Sequence, residues 1–202
     1  AERLEKQEIV SSSIIILLYS RIYGLDSQIK RGEYNLTKEL SVKGMLSNFV
    51  LGKVIEHSVT FPEGITLKQA LLILKNTKNL QSNLSDQADR RLYELTGREN
   101  PEGMFLPETY RYSNGDSDLD VLTRAHEHLA SFLATHWTSR APGLPYQTSY
   151  EALILASIIE KETGWKAERT KISGVFVRRL KLGMRLQADP TIIYGLGKSF
   201  DG

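Results

Sequence analysis

The sequence predicts an α+β fold in which helices dominate. Long stretches carry apolar residues at helical spacing, a few short stretches alternate apolar and polar residues, and glycine and proline residues separate the two kinds. The chain has 202 residues, of which 41% are hydrophobic and 25% charged, close to the average for soluble globular proteins. This length and composition fit one domain, or one domain with a small appendage, and exclude wholesale disorder.

The predicted elements follow one another along the whole chain. Helices are expected over residues 2–10, 14–23, 42–50, 66–75, 86–95, 119–137, 150–163, 167–182 and 191–194. Strands are expected over residues 32–37, 54–61 and 184–187.

Capping and turn residues set the boundaries in the N-terminal half. Residues 11–13 are three serines, which supply N-cap candidates between the first two helices. Gly24 and Gly52 end the second and third helices, since glycine favours the left-handed C-cap conformation. Thr66 caps the fourth helix after a Pro-Glu-Gly turn at residues 62–64.

The C-terminal half is more strongly helical. An apolar stripe marks the long helix over 119–137, and a loop rich in proline and glycine follows at residues 141–145. After the strand-like residues 184–187, Asp189 and Pro190 form a cap and first helical position for a short final helix.

Composition and charge exclude several classes of protein. The chain has no cysteine, which excludes a disulfide scaffold, a cysteine nucleophile and a thiolate metal site. The net charge is +2, from 26 basic and 24 acidic residues, so no strong polyanion partner such as nucleic acid is expected. No apolar run is long enough to span a bilayer, and no signal peptide is visible. Because the last residues are loop-like, we expect a fragment from which an anchor or targeting segment is absent.

Two loops match ligand-binding motifs only weakly. Residues 197–199 read Gly-Lys-Ser, the end of a phosphate-binding loop, but Ile192 stands where that loop needs its first glycine. Residues 116–120 carry three aspartates at the spacing that opens a calcium loop, but Val121 stands where its glycine is needed. Acidic residues at the start of a helix explain these aspartates better.

The histidines and serines give no support for a metal site or a hydrolase triad. His126 and His128 are two positions apart, which places them on nearly opposite sides of a helix, and His57 and His136 are isolated. The Gly-x-Ser-x-Gly pattern of α/β-hydrolases does not occur. The sequence therefore predicts a protein without a metal or a cofactor.

The strongest catalytic candidate is a glutamate near the end of the helix over 150–163. Glu162 follows three apolar residues at helical spacing and extends their stripe, whereas Glu160 lies on a less apolar side. We therefore expect Glu162 to project into a partly desolvated site. Desolvation raises the pKa of a carboxyl group, as a general acid near neutrality requires. Alternatively, Glu162 is a solvated residue at a frayed helix end, because Gly164 follows.

Further polar residues cluster after this helix. Glu168 lies on the apolar side of the next helix, and Gln187, Asp189 and Thr191 come together after the last predicted strand. For Asp189, helix capping is as good an interpretation as a substrate contact.

Five stretches of the sequence closely resemble the endolytic murein transglycosylase, or YceG-like, family. Residues 156–163 read Ala-Ser-Ile-Ile-Glu-Lys-Glu-Thr, residues 175–180 read Val-Phe-Val-Arg-Arg-Leu, and residues 183–191 read Gly-Met-Arg-Leu-Gln-Ala-Asp-Pro-Thr. Residues 102–110, which read Glu-Gly-Met-Phe-Leu-Pro-Glu-Thr-Tyr, and residues 59–64, which read Val-Thr-Phe-Pro-Glu-Gly, also fit the family.

The resemblance implies an organisation and a location. It implies a partial LysM-like α/β subdomain over residues 1–60, without its first strand, and a YceG-like catalytic domain over 61–202, without a C-terminal segment. It also implies a bacterial inner-membrane protein with one N-terminal anchor and a domain that faces the periplasm. The implied partners are peptidoglycan glycan strands and the peptidoglycan synthases known as penicillin-binding proteins.

The resemblance also implies an activity. The family cleaves the β-1,4 bond between N-acetylmuramic acid and N-acetylglucosamine without water, which leaves 1,6-anhydro ends and terminates strand growth. Its catalytic glutamate corresponds to Glu162. Motif positions imply that the substrate-binding or supporting residues are Gln187, Asp189, Thr191, Tyr110 and Glu102.

Two alternative functions remain open at this point. One is a non-catalytic peptidoglycan-binding or scaffold module that uses the LysM-like part. The other is a hydrolytic glycosidase, which needs a second carboxylate across a water molecule from Glu162, with Glu102 and Glu168 as the candidates.

Overall fold

The structure, a computed structural model, describes residues 2–30, 32–36 and 40–196. Its helices are α1 (Glu2–Lys6), α2 (Ser13–Ile22), α3 (Val42–Leu51), α4 (Leu67–Lys75), α5 (Arg90–Thr96), α6 (Asp118–Thr138), α7 (Ser149–Glu162), α8 (Lys166–Lys181) and α9 (Asp189–Leu196). Its strands, β1 (Glu56–Thr60) and β2 (Thr109–Ser113), form a two-stranded antiparallel sheet. The predicted α+β class with dominant helices is confirmed.

The predicted helices all form within the described residues, and in two of them one end differs from the prediction by more than two residues. The helix expected over 2–10 ends at Lys6. The helix expected over 86–95 begins at Arg90, because the carboxylate of Asp89 caps it by accepting a hydrogen bond from the backbone N–H of Arg91 at 3.1 Å.

Two of the three predicted strands are wrong. In the stretch 32–37, Tyr34 makes only an isolated bridge to Val54, and residue 37 lies outside the described residues. Residues 184–187 form a loop, in which Gln187 has a left-handed φ of 52° that interrupts extended backbone. A LysM-like arrangement in the N-terminal part is therefore not confirmed.

The chain packs into two compact units. The first comprises Ala1–Val59, Leu74–Asn83 and Tyr110–Val121, and the second comprises Thr60–Ile73, Leu84–Thr109 and Leu122–Gly202. The predicted division at residue 60 into two functional domains stays a prediction.

The core of the first unit includes a cluster of apolar residues on α2 and α3. Ile16 from α2 packs with Met45, Leu46 and Phe49 from α3, and all four are buried. The helix α3 ends at Gly52, which takes the predicted left-handed conformation with φ of 69°. This confirms that residue as the stop signal.

The second unit has a core cluster that fixes α7 in place. Leu155 of α7, Phe176 of α8 and Ala188 are buried together. Half-buried apolar residues, including Ile158 and Ile159, surround them. Since burial of such side chains supplies most of the stability of a helix in a protein, this cluster holds α7 on α8.

None of the helices in the described residues is both long enough and apolar enough to cross a membrane.

Candidate active site

The C-terminal end of α7 carries the predicted catalytic residue. Glu162 is the last residue of the helix, and its side chain is exposed. The apolar stripe loses its cover toward this end, since Leu155 is buried, Ile158 and Ile159 are half-buried, and Glu162 faces solvent. The expectation that Glu162 occupies a partly desolvated site is therefore wrong for this structure. Its catalytic role stays a prediction.

The other motif glutamate has a very different environment. Glu160 is half-buried, with 24% of its side chain exposed. The Nη2 atom of Arg169 donates to Glu160 Oε1 at 2.9 Å and lies 2.7 Å from Oε2. A Cβ atom on Gly64 would lie 3.1 Å from Glu160 Cγ, so the backbone of the turn at 62–64 passes close over this side chain. Glu160 is therefore enclosed and paired.

Arg169 connects α7 and α8 to the turn at 62–64. Besides Glu160, its Nη2 atom donates to Glu63 Oε2 at 3.3 Å. About a quarter of the Arg169 side chain is exposed, 27%, which favours these ion pairs over solvent contact. The Nε atom of Arg169 is buried and makes no hydrogen bond to any part of the chain that the structure describes.

The residue after Glu162 is also held by α8. Thr163 is buried, and its hydroxyl donates to Glu168 Oε2 at 3.0 Å. The same hydroxyl accepts a hydrogen bond from the backbone N–H of Trp165 at 3.0 Å. These bonds form the corner between α7 and α8, and Glu168 is thereby engaged in fixing it.

Glu102 lies at the start of α4. Both of its carboxylate oxygens are 3.0 Å from the backbone nitrogen of Leu67, which donates to them as the first N–H of that helix. Burial raises the pKa of Glu102 above its ordinary value, against the opposing effects of the backbone N–H groups of Leu67 and Gly103 and the charge of Lys161. A substrate-binding role for Glu102 stays a prediction.

The remaining predicted site residues are placed differently. Gln187 is exposed, and its Oε1 accepts from Arg179 at 3.5 Å. Asp189 is exposed as the first residue of α9, and the exposed Thr191 donates its hydroxyl to the carbonyl oxygen of Ala188 at 2.7 Å. Tyr110 is 3% exposed within β2 of the first unit. Substrate contacts by all four residues stay predictions.

An apolar cleft of about 330 Å³ lies on another side of α7. It is bounded by residues 103–107, by the C-terminal half of α6 and by α7, where Ala152 and Ala156 line it. Six positions along a helix correspond to a rotation of roughly 240°, so Glu162 points away from the face on which Ala156 lies. The cleft does not include Glu162.

The aspartates of the calcium-like motif have a structural explanation in the described residues. The aspartates at 118 and 120 lie in the first turn of α6, as expected of acidic residues at a helix start. The Gly-Lys-Ser sequence at 197–199 lies outside the described residues. Across residues 2–30, 32–36 and 40–196, no group of three or more histidine, aspartate or glutamate side chains is arranged to hold a metal ion.

Two residues near the C-terminal end of α7 are not among the site residues that the sequence predicts. Arg169 gave no signal, since its partners are 9 and 106 residues away in the sequence. Trp165 is 69% exposed directly after the corner, and its place next to the motif that ends in Glu162 is a signal that the sequence does offer.

Comparison with known proteins shows which family the chain belongs to. The YceG-like family pattern matches residues 1–202. The chain is 27% identical over 221 residues to an endolytic murein transglycosylase of Bacillus subtilis (strain 168), with 100% of the chain and 61% of that protein covered. It is 25% identical over 229 residues to an endolytic murein transglycosylase of Streptococcus pneumoniae serotype 2, with 96% and 40% covered.

The chain thus spans less than two thirds of the length of these curated relatives. A crystal structure of a YceG-like protein from Listeria monocytogenes superposes with a TM-score of 0.50 at 22% identity, covering 98% of this chain and 71% of that one. At that identity the likeness concerns the fold alone. The pattern match over the entire sequence is the decisive finding, and the chain belongs to the YceG-like family.

Proposed function

We propose that the protein is an endolytic murein transglycosylase that uses Glu162 as its catalytic acid. The observation that carries this proposal is the family match over residues 1–202, which includes the motif that ends in Glu162, together with curated relatives that bear this name. The proposed substrate is the glycan strand of nascent peptidoglycan. The proposed product carries a 1,6-anhydro-N-acetylmuramoyl end, so that cleavage terminates elongation of the strand.

The environments of the two motif glutamates support Glu162 over Glu160. Glu160 is enclosed, with both carboxylate oxygens within 2.9 Å of Arg169, and a sugar cannot reach it without breaking that pair. Glu162 is exposed at the end of α7, while Leu155 earlier in the same helix is packed in the core cluster. The carboxyl group of Glu162 is therefore open to a bound strand. The exposed indole of Trp165 lies three residues on and offers an apolar face of the kind that packs against sugar rings.

The reaction needs one carboxyl group. Protonated Glu162 donates its proton to the glycosidic oxygen, the bond from C1 to that oxygen breaks, and positive charge develops at C1 of the muramoyl sugar. The C6 hydroxyl of the same sugar then bonds to C1 and closes the anhydro ring. Its proton goes to the Glu162 carboxylate or first to the acetamido group.

A hydrolytic mechanism has less support in the contacts of the other carboxylates. It needs a second carboxylate that activates water. Glu102 accepts hydrogen bonds from the start of α4, and Glu168 accepts one from Thr163. Both candidates are engaged in holding the fold.

The proposal extends to location and partners. It includes attachment to the bacterial inner membrane through an N-terminal anchor, with the domain facing the periplasm. It also includes action beside the peptidoglycan synthases that extend the strands. These statements rest on membership of the family.

Mass spectrometry of purified glycan strands after digestion by the full-length protein tests the proposed function. Anhydro ends support it, reducing ends indicate a hydrolase, and unchanged strands indicate a binding module. We expect Glu162→Gln to lower the rate of anhydro-end formation by about 10²- to 10⁴-fold, because an amide cannot donate the proton. Glu127→Gln, at an exposed position on α6, is the matched control and should keep the full rate. Undiminished formation of anhydro ends by Glu162→Gln would contradict the assignment of the acid.

A further inference from the structure

Two contacts from the start of α8 hold the backbone on either side of Glu162. Two residues before Glu162, Glu160 pairs with Arg169. One residue after it, the hydroxyl of Thr163 donates to Glu168. Glu168 and Arg169 are neighbours in α8, so one helical turn fixes both flanks of the exposed carboxylate.

The Arg169 contact is the stronger restraint of the two. Its Nη2 atom lies within 2.9 Å of both oxygens of Glu160, and the same atom donates to Glu63 at 3.3 Å. The turn at 62–64 passes close to Glu160, since a Cβ atom added to Gly64 would lie 3.1 Å from Glu160 Cγ. Glu160 therefore has little room to move. Because Glu160 belongs to the last turn of α7, that turn is restrained as well.

The buried Nε atom of Arg169 indicates that this arrangement is not set by stability alone. A buried donor without a partner costs free energy, and such groups occur where a site requires a particular geometry. Buried ion pairs are themselves weak sources of stability, since desolvation opposes the attraction of the charges.

We propose that Arg169 is a positioning residue, which orients Glu162 toward the scissile bond by fixing the last turn of α7 through Glu160. This inference rests on the proposed function, because it takes Glu162 as the acid. A misplacement of about 1 Å is enough to slow a reaction by roughly 100-fold when the reacting groups must be aligned. Arg169 itself needs no contact with the substrate.

The test compares Arg169→Met, Arg169→Lys and the control Lys171→Met in the full-length protein. Lys171 is an exposed cation on the same helix. For Arg169→Met we expect kcat for anhydro-end formation to fall by about 10- to 100-fold with KM unchanged, because binding surfaces stay in place while the acid loses its orientation. Arg169→Lys should recover part of kcat, since it keeps the charge without the planar guanidinium. Lys171→Met should keep the wild-type kcat.

Amide hydrogen exchange at Glu162 and Thr163 gives a second readout that does not depend on activity. We expect faster exchange there in Arg169→Met and unchanged exchange in Lys171→Met. The inference is overturned if Arg169→Met keeps the wild-type kcat and exchange rates while Glu162→Gln loses activity. If the wild-type protein forms no anhydro ends, the proposed function fails, and unchanged exchange in Arg169→Met would then also overturn the fixed-turn argument.

Discussion

The two ends of α7 are held by opposite kinds of interaction. At the N-terminal end, Thr148 accepts a hydrogen bond from the backbone N–H of Glu151 at 3.2 Å, and Glu151 accepts one from the backbone N–H of Thr148 at 3.2 Å. These bonds form a capping box within four residues. At the C-terminal end, the contacts of Arg169 join residues that are 9 and 106 positions apart.

The N-terminal end of α7 is stabilised by contacts within its own segment, whereas the C-terminal end is stabilised by tertiary contacts. The capping box needs only its own residues, so it stabilises the helix start wherever the segment is placed. The contacts at the C-terminal end form only when α8 and the turn at 62–64 are folded around it. We therefore expect changes at the first end to affect stability alone, and changes at the second end to affect stability and catalysis together.

Gly64→Ala, which changes the contacts at the C-terminal end of α7, should give the largest loss of stability. Gly64 has a left-handed φ of 71°, and an added Cβ would lie 3.1 Å from Glu160 Cγ. The left-handed conformation costs about 1–2 kcal/mol for alanine, and crowding against Glu160 adds about 1–3 kcal/mol. We expect the free energy of unfolding, measured by urea denaturation, to fall by about 2–5 kcal/mol and kcat to fall as well.

Gly143→Ala is the matched control for this change. Gly143 has nearly the same φ, 70°, but nothing lies within 4 Å of its Cβ position. Its free energy of unfolding should fall only by the conformational cost of about 1–2 kcal/mol, and its kcat should stay at the wild-type value. Equal losses of stability in the two variants would show that the contact between Gly64 and Glu160 contributes nothing.

The same division explains which features the sequence predicts. Helix positions, the stop at Gly52 and the acidic first turn of α6 follow from local chemistry and are confirmed. The strand predicted over 184–187 is wrong, because its alternation does not reveal the left-handed backbone at Gln187. For Glu162 the sequence leaves both a partly desolvated and a solvated position open, because helical spacing shows which residues share a face but not where the covering elements end. The structure shows the exposed position.

The network around Arg169 had no sequence signal at all. Each of Glu63, Glu160 and Arg169 reads as an ordinary surface charge, and only the folded second unit brings them together. The positions of motif residues came from the resemblance to the family, and the roles of Gln187 and Asp189 stay predictions.

Thr148→Ala, which removes the cap at the N-terminal end of α7, should give an intermediate loss of stability. Loss of the cap leaves the N–H of Glu151 without its side-chain partner and should lower the free energy of unfolding by about 1 kcal/mol. The value of kcat should not change, because the end with Glu162 is held independently. Thr170→Ala, an exposed position within α8, is the control and should be neutral or slightly stabilising, since alanine has the higher helix propensity. A lower kcat in Thr148→Ala would break the proposed independence of the two ends.

Glu102→Gln should give the smallest effect on the free energy of unfolding. It tests the charges near the C-terminal end of α7, where the charge of Lys161 lowers the pKa of Glu102. Burial raises the pKa of Glu102 above 4.5, so the folded protein binds this proton more tightly than the unfolded chain does. As the pH rises from about 4.5 to the raised pKa, the unfolded state loses the proton first, and this group's contribution to the free energy of unfolding falls.

Urea denaturation between pH 4.5 and 7 should therefore show a shallower fall, or a steeper rise, of stability with pH in Glu102→Gln than in the wild type. Glu127→Gln, at an exposed position, should follow the wild type. An identical pH dependence in Glu102→Gln and the wild type would show that the backbone N–H groups and Lys161 offset the burial of Glu102 in full.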